Sequence, residues 1–137
     1  MNVLLVGLGR WGEEHLRVLA RLGATVWAAD LSAARRARAV GRGVAADRVV
    51  ADFRNALPYV DAVDIVTPAD SHREVAEACL AAGHHCFVEK PLAVSVGDGR
   101  TVVAAARAAG RVVQVGHIFR SHPVTATLRA ALADGRV

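Results

Sequence analysis

The chain has 137 residues, a length that suits one domain able to bury about two-thirds of its unfolded surface. Its formal charge of +4 comes from arginines scattered over nearly every predicted helix, without a basic block, so we expect no nucleic-acid partner. No apolar run is long enough to span a membrane and no basic segment precedes the first one, so we expect a cytoplasmic protein with no membrane partner.

Three glycines follow the first predicted strand. The apolar run Val3 to Val6 leads into Gly7, Gly9 and Gly12, after which a helical pattern begins. The first glycine permits a tight turn, the second lets the backbone approach a pyrophosphate, and the third lets the helix pack against the sheet. Free amides of the first helical turn favour the phosphates. The sequence therefore predicts a dinucleotide-binding loop made of Gly7, Leu8, Gly9, Arg10, Trp11 and Gly12.

The second predicted strand, Thr25 to Ala29, ends in an acidic residue, Asp30. In a dinucleotide-binding fold an acid at this point accepts hydrogen bonds from the ribose hydroxyls, and its charge repels a 2′-phosphate. We therefore expect NAD rather than NADP, although Arg35 and Arg36 leave room for some NADP tolerance. An alternative is that Asp30 caps the helix that starts near Ser32, and both roles are compatible.

The remaining pattern alternates between helices and strands. The first helix is predicted over Trp11 to Leu22, with Trp11, Leu16, Leu19 and Leu22 on its apolar face and Gly23 at its end. Short connections between alternating elements predict an α/β fold with a doubly wound, mostly parallel six-stranded sheet, a Rossmann fold. The further elements are predicted at residues 32–40, 48–51, 56–60 (an irregular link or short helix), 62–66, 71–82, 84–88, 95–109, 111–115 and 124–133.

A short polar loop follows the buried fourth strand. It contains Thr67, Pro68 and His72, and Ser71 with Glu74 forms a predicted capping box for the next helix. Because ligands bind at the carboxyl ends of parallel strands, this loop is expected beside the cofactor. For His72 the alternative of a surface residue in the first helical turn stays open.

The fifth strand ends in a charged pair followed by proline: Glu89, Lys90 and Pro91. Proline biases Lys90 towards an extended conformation, which aims its ammonium group in a defined direction. Of the 17 basic residues only Lys90 is a lysine, which suggests that a compact ammonium is needed there. The alternative is a solvated surface ion pair. The two cysteines, Cys79 and Cys86, have neither a metal spacing nor a disulfide framework, so we expect two buried thiols and no metal site.

These motifs together resemble the nucleotide-binding half of the Gfo/Idh/MocA family, which contains glucose-fructose oxidoreductase and inositol dehydrogenase. The resemblance covers essentially the whole chain. It rests on the glycine loop with Asp30, on the Thr-Pro-x-x-x-His pattern of Thr67, Pro68 and His72, and on Glu89-Lys90-Pro91. The resemblance implies cofactor contacts from these residues and a catalytic position for Lys90 beside the nicotinamide. It also implies an NAD(P)-dependent hydride transfer with a sugar, polyol or related hydroxy compound.

Members of that family are typically more than twice as long, with a second domain that carries most substrate contacts and the subunit interface. We therefore expect residues 1–121 to form the NAD(P)-binding domain and residues 122–137 to form a final helix leading towards a substrate domain absent from this chain. On this basis the chain alone is expected to be inactive, and a homo-oligomer is expected.

Two other functions fit the same fold. One is a stand-alone, non-catalytic NAD-binding or redox-sensing module, but such a module has no need of Glu89-Lys90-Pro91. The other is a CoA-binding domain, which Asp30 disfavours.

Overall fold

The computed structural model describes residues 1–136, in which six parallel strands form one sheet in the order β3-β2-β1-β4-β5-β6. The strands are β1 (Asn2–Val6), β2 (Thr25–Ala29), β3 (Val49–Val50), β4 (Ala62–Ile65), β5 (His85–Val88) and β6 (Val113–Val115). The helices are α1 (Arg10–Arg21), α2 (Ala33–Gly41), α3 (His72–Ala81), α4 (Val96–Ala109) and α5 (Pro123–Ala133). The predicted doubly wound Rossmann fold is confirmed.

Alternating side chains of the central strands build a core on each face of the sheet. Leu4 packs into the core shared with α3, α4 and the segment Phe53–Tyr59, whereas Leu5 packs into the core formed with α1 and α2. Strand β4 follows the same alternation, because Val63 and Ile65 belong to the first core. The residue between them, Asp64, therefore lies on the face that carries α1.

The apolar face predicted for the first helix is only partly right. Leu16 is buried and Leu19 packs against the core, but Trp11 is 60% exposed and Leu22 is 75% exposed. The helix packs closely against the glycine loop at Gly12, where a side chain would overlap the carbonyl oxygen of Gly7. This contact fixes the rotation of the helix and turns Trp11 outwards.

Two local predictions need correction. The predicted capping box is wrong, because the Ser71 hydroxyl lies 2.8 Å from Thr67 Oγ1 and 2.7 Å from the Pro68 carbonyl, while Glu74 pairs with Arg54. A 3₁₀ turn, Ala69–Ser71, precedes α3 and supplies a different helix start. The uncertain link before β4 is a 3₁₀ helix, Phe53–Tyr59, that contains Pro58.

The last helix stands apart from the sheet. None of the residues of α5 is buried, and its apolar side chains Val124, Leu128 and Leu132 are each more than half exposed. In residues 1–136 no helix has the length and apolar character needed to cross a membrane.

Candidate dinucleotide-binding site

The glycine loop follows β1 and packs closely against the residues that follow β4. Gly7 has φ +98°, and its amide donates to the Ala29 carbonyl at 2.8 Å. A Cβ on Gly7 would lie 2.6 Å from the carbonyl oxygen of Val66. Around Gly9, by contrast, a Cβ would meet only the Arg35 guanidinium, 3.9 Å away. The loop is therefore closed towards the sheet and open at Gly9, where a phosphate would approach.

The start of α1 fits an anion. The helix begins at Arg10 without a side-chain cap. Within residues 1–136 the amides of Arg10, Trp11 and Gly12 donate to no acceptor, and the helix dipole places partial positive charge there. These groups and the open surface at Gly9 fit the pyrophosphate of a dinucleotide.

Asp30 connects the end of β2 to the glycine loop. Its Oδ2 accepts a hydrogen bond from the Leu8 amide at 2.8 Å, and its Oδ1 accepts one from the Ser32 amide at 2.8 Å. The cap of α2 is Ser32, whose hydroxyl accepts from the Arg35 amide, so the alternative of Asp30 as helix cap is wrong. Oδ1 keeps a second lone pair to which a ribose hydroxyl can donate, whereas Oδ2 also faces the Arg35 guanidinium.

Two arginines surround this carboxylate. The Arg35 guanidinium lies 3.4 Å from Asp30 Oδ2, and Arg36 donates to the carbonyls of Asp30 at 2.7 Å and Leu31 at 2.9 Å. Arg36 is thus engaged with the backbone, whereas Arg35 is exposed and partly offsets the Asp30 charge.

His72 is buried beneath the polar loops. Only 1% of the residue is exposed, so the alternative of a surface histidine is wrong. Its Nδ1 lies 2.8 Å from the Pro91 carbonyl oxygen and its Nε2 lies 2.8 Å from the Thr67 carbonyl oxygen. Carbonyl oxygens only accept, so both contacts are hydrogen bonds when both ring nitrogens carry hydrogen. His72 therefore joins the Thr67-Pro68 loop to the segment after β5 and has no free ring nitrogen for a ligand.

Lys90 lies at the carboxyl edge of the sheet. It is exposed, its amide lies 3.1 Å from Glu89 Oε2, and the bond to Pro91 is cis. The amide of Glu89 donates to the Ile65 carbonyl at 2.9 Å, which extends the hydrogen bonding between β4 and β5 by one residue. A groove of about 890 Å³ brings the start of α1 together with this segment; its lining includes Arg10, Trp11, Glu89 and Lys90. Asp30, Thr67, Pro68 and His72 lie outside that lining.

A second charged cluster in the groove was missed by the sequence analysis. His15, on α1, has its Nδ1 2.9 Å from Asp64 Oδ2 and its Nε2 3.4 Å from Glu89 Oε1. The hydrogen bond with Asp64, supported by both negative charges and opposed by burial, raises the pKa of His15. Two features of the sequence could have indicated this cluster. His15 lies in the predicted first helix three residues after Gly12, and Asp64 is a single acidic residue inside an apolar strand.

The two cysteines are buried free thiols, as predicted. Cys79 belongs to α3 and Cys86 to β5, and both pack in the core that contains α4. The hydrogen bond with Cys86, together with burial, raises the pKa of Cys79. Cys86 also belongs to the lining of the groove that contains Lys90.

Comparison with known proteins identifies the family that the sequence motifs resemble. The profile of the Gfo/Idh/MocA family, described as the oxidoreductase family with an NAD-binding Rossmann fold, matches residues 1–117. The chain belongs to this family. The UDP-N-acetylglucosamine 3-dehydrogenase of Acidithiobacillus ferrooxidans is 34% identical over 134 residues, which are 96% of this chain and 41% of that protein. The inositol 2-dehydrogenase of Paracoccus denitrificans is 34% identical over 140 residues, 98% of this chain and 42% of that protein.

A solved structure with ligands bound has the same fold. The WlbA dehydrogenase of Bordetella pertussis, in complex with NADH and UDP-GlcNAcA, superposes with a TM-score of 0.90 and 27% identity. The match covers 99% of this chain and 40% of that one. The chain thus spans about two-fifths of the length of these relatives, and the family's NAD-binding Rossmann domain accounts for residues 1–117 of it.

Proposed function

We propose that this chain is the NAD(H)-binding part of a dehydrogenase that transfers hydride to or from a sugar, a polyol or a related hydroxy compound. The observation that carries the proposal is the start of α1, which is open at Gly9 and whose residues Arg10 and Trp11 line one groove with Lys90. The start of α1 suits the pyrophosphate of the dinucleotide, and Lys90 suits chemistry at the other end of the cofactor. The names of the relatives support the substrate class.

The proposed cofactor contacts fall into two groups. The loop residues Gly7 to Gly12 would bind the phosphates through backbone amides, and Asp30 would accept from the ribose hydroxyls. Thr67, Pro68 and Glu89 would line the edge towards the nicotinamide. His72 would act through these loops, since its ring nitrogens already face two carbonyl oxygens.

We propose NAD as the preferred cofactor. Asp30 presents a carboxylate whose charge opposes a 2′-phosphate, and Arg36 is held by backbone carbonyls. Arg35 is exposed and lies beside Asp30, which supports a secondary tolerance for NADP.

Lys90 is the proposed catalytic residue of this chain. Its ammonium group, unlike a guanidinium, is a compact charge that can stabilise developing negative charge on a substrate oxygen or relay its proton. Lys90 is exposed, however, and hydride transfer needs a substrate carbon held about 3–3.5 Å from the nicotinamide. We therefore propose that the 137-residue chain binds NAD(H) and by itself turns over little sugar or polyol.

Binding and turnover are separate tests. Calorimetric titration with NADH should show one site, and Lys90→Ala should retain it because the phosphate contacts are elsewhere. Absence of NADH binding to the folded chain would contradict the proposal. Oxidation of myo-inositol or UDP-N-acetylglucosamine at ordinary enzyme rates would contradict the proposed inactivity of the chain alone.

We also propose that the chain self-associates through α5. Residues Val124, Leu128 and Leu132 recur at four-residue spacing, so they lie on one exposed side of the helix. Light scattering at high protein concentration should show a dimer or larger species, and Leu128→Asp should reduce it. A strictly monomeric wild-type chain would contradict this proposal.

A further inference from the structure

The imidazole of His15 is enclosed by two carboxylates from different strands. Asp64 Oδ2 lies 2.9 Å from Nδ1, and Glu89 Oε1 lies 3.4 Å from Nε2. Carboxylates that are ionised only accept hydrogen bonds, so the ring satisfies both when both nitrogens carry hydrogen. The geometry therefore selects the imidazolium form of His15.

The cluster is largely shielded from water, which strengthens its electrostatics. The side chains of His15 and Glu89 are each 17% exposed, and that of Asp64 is 9% exposed. Oδ1 of Asp64 is buried and has no hydrogen-bond partner in residues 1–136. An ionised Asp64 in this position needs a nearby cation, and His15 is the one within hydrogen-bond distance.

The cluster also connects two parts of the candidate site. His15 belongs to α1, whose first turn fits phosphates, and Glu89 Oε2 lies 3.1 Å from the Lys90 amide. Gly116 also packs against the Glu89 carboxylate, since a Cβ at Gly116 would lie 2.9 Å from Glu89 Oε1. A continuous line of contacts thus runs from Asp64 through His15 and Glu89 to the backbone of Lys90.

We propose that protonated His15 is a positioning residue that holds Glu89, and through it Lys90, in a fixed relation to the phosphate-binding helix. This role rests on the proposed function of Lys90 as the residue at the reacting end. When His15 loses its proton, its electrostatic attraction to both carboxylates is lost. The Glu89-Lys90 segment is then free to shift.

Other charged groups face the same groove and define the controls. Glu89 and Lys90 come from the segment after β5, Asp64 comes from β4, and Arg10, Glu14 and Arg17 lie on α1 with His15. Arg17 is paired with Glu14 at 2.7 Å, and their hydrogen bond lowers the pKa of Glu14. The Glu14 carboxylate therefore stays ionised in the range in which a histidine changes charge. The other histidine in the groove lining, His85, starts β5, and its Nδ1 accepts from the Val112 amide at 3.1 Å.

The single lysine makes the test direct. In protein labelled with ¹⁵N only at lysine, the backbone amide signal comes from Lys90 alone. Without cofactor, this signal should shift with pH at the titration midpoint of His15, measured separately on histidine-labelled protein. That midpoint should lie above the ordinary histidine pKa of 6.5. His84, a partly exposed histidine outside the groove, is the control position.

The variants separate a positioning role from a structural one. His15→Gln should abolish the pH-dependent step at Lys90, whereas His84→Gln should leave it unchanged. If His15→Gln fails to fold, as judged by circular dichroism, Glu89→Gln provides the second variant. It should lower the His15 midpoint and remove the step.

A Lys90 signal that does not follow His15 in the wild-type protein would overturn the proposal, as would a step that persists in His15→Gln or Glu89→Gln. Because this experiment uses no cofactor, its result is independent of NADH binding. If the Lys90 amide signal shows the pH-dependent step but NADH does not bind, the result would support the positioning role of His15. The same result would contradict the proposed function.

Discussion

The Leu8 amide donates a 2.8 Å hydrogen bond to Asp30 Oδ2, so one carboxylate both shapes the glycine loop and lies where the adenosine ribose is proposed to bind. The other oxygen, Oδ1, accepts from the Ser32 amide at 2.8 Å. Asp30 therefore has a structural role that is separable from cofactor choice.

We predict two effects of Asp30→Ala. Loss of both acceptors should lower the free energy of unfolding by about 1–3 kcal/mol, because the amides of Leu8 and Ser32 lose their partners. Loss of the negative charge should lower the NADPH dissociation constant relative to the NADH dissociation constant by roughly tenfold. Urea denaturation and calorimetric titration measure the two effects. With the exposed Asp47→Ala as control, an unchanged cofactor ratio in Asp30→Ala would remove Asp30 from the ribose site.

Two glycine substitutions should have opposite effects on stability. In Gly12→Ala the new methyl group overlaps the Gly7 carbonyl, so we predict a loss of about 1–3 kcal/mol. In Gly99→Ala, inside α4, the methyl group meets nothing within 4 Å, so we predict a gain of about 0.5–1 kcal/mol. Equal stability of the two variants in urea would show that α1 does not approach the loop as described.

His72→Leu should weaken the fold at the edge of the sheet. The carbonyl oxygens of Thr67 and Pro91 lose the ring nitrogens that face them, which should lower the free energy of unfolding by roughly 2–4 kcal/mol. Affinity for NADH should fall as well, since two loops of the proposed site lose their connection. His84→Leu, at a partly exposed position, should change stability by less than about 0.5 kcal/mol. Similar losses in both variants would argue against a special role for His72.

The stability of the chain should depend on pH through His15. Its pKa in the folded chain is raised above the ordinary value of 6.5, so the folded state binds the proton more tightly than the unfolded state. The stabilisation is complete below that value and is lost as the pH rises through the folded-state pKa. The difference in melting temperature between wild type and His15→Gln should therefore shrink as the pH rises above the ordinary histidine pKa of 6.5. A difference that grows over this range would contradict the assignment.

Much of the fold was predictable because its signals are local. The run Val3 to Val6 followed by spaced glycines, and the alternation of apolar strands with helices, correctly indicated the sheet and its order of elements. The exposure of Trp11 was not predictable from helical periodicity. It depends on the contact between Gly12 and Gly7, which only the assembled sheet creates.

The site was predictable in part for the same reason. Residues within one motif, such as Gly7, Gly9 and Gly12, can be recognised from spacing, but contacts between distant segments cannot. Asp64 and His15 are separated by 49 positions and meet only because α1 covers the same face of β4. Ser71 shows the reverse error, since its local capping pattern is overridden by a hydrogen bond to Thr67.

The central claim, that the start of α1 binds the phosphates of NAD(H), is tested most directly by calorimetric titration of wild type and Gly9→Val with NADH. Gly9 has extended backbone angles, φ −71° and ψ −168°, and space for a side chain, so the variant should keep the melting temperature of wild type. Its valine would occupy the phosphate approach, so we predict binding by wild type and at least a roughly hundredfold weaker affinity in Gly9→Val, a change of about 2.7 kcal/mol. Equal affinity of the two folded proteins, or no binding by either, would contradict the account.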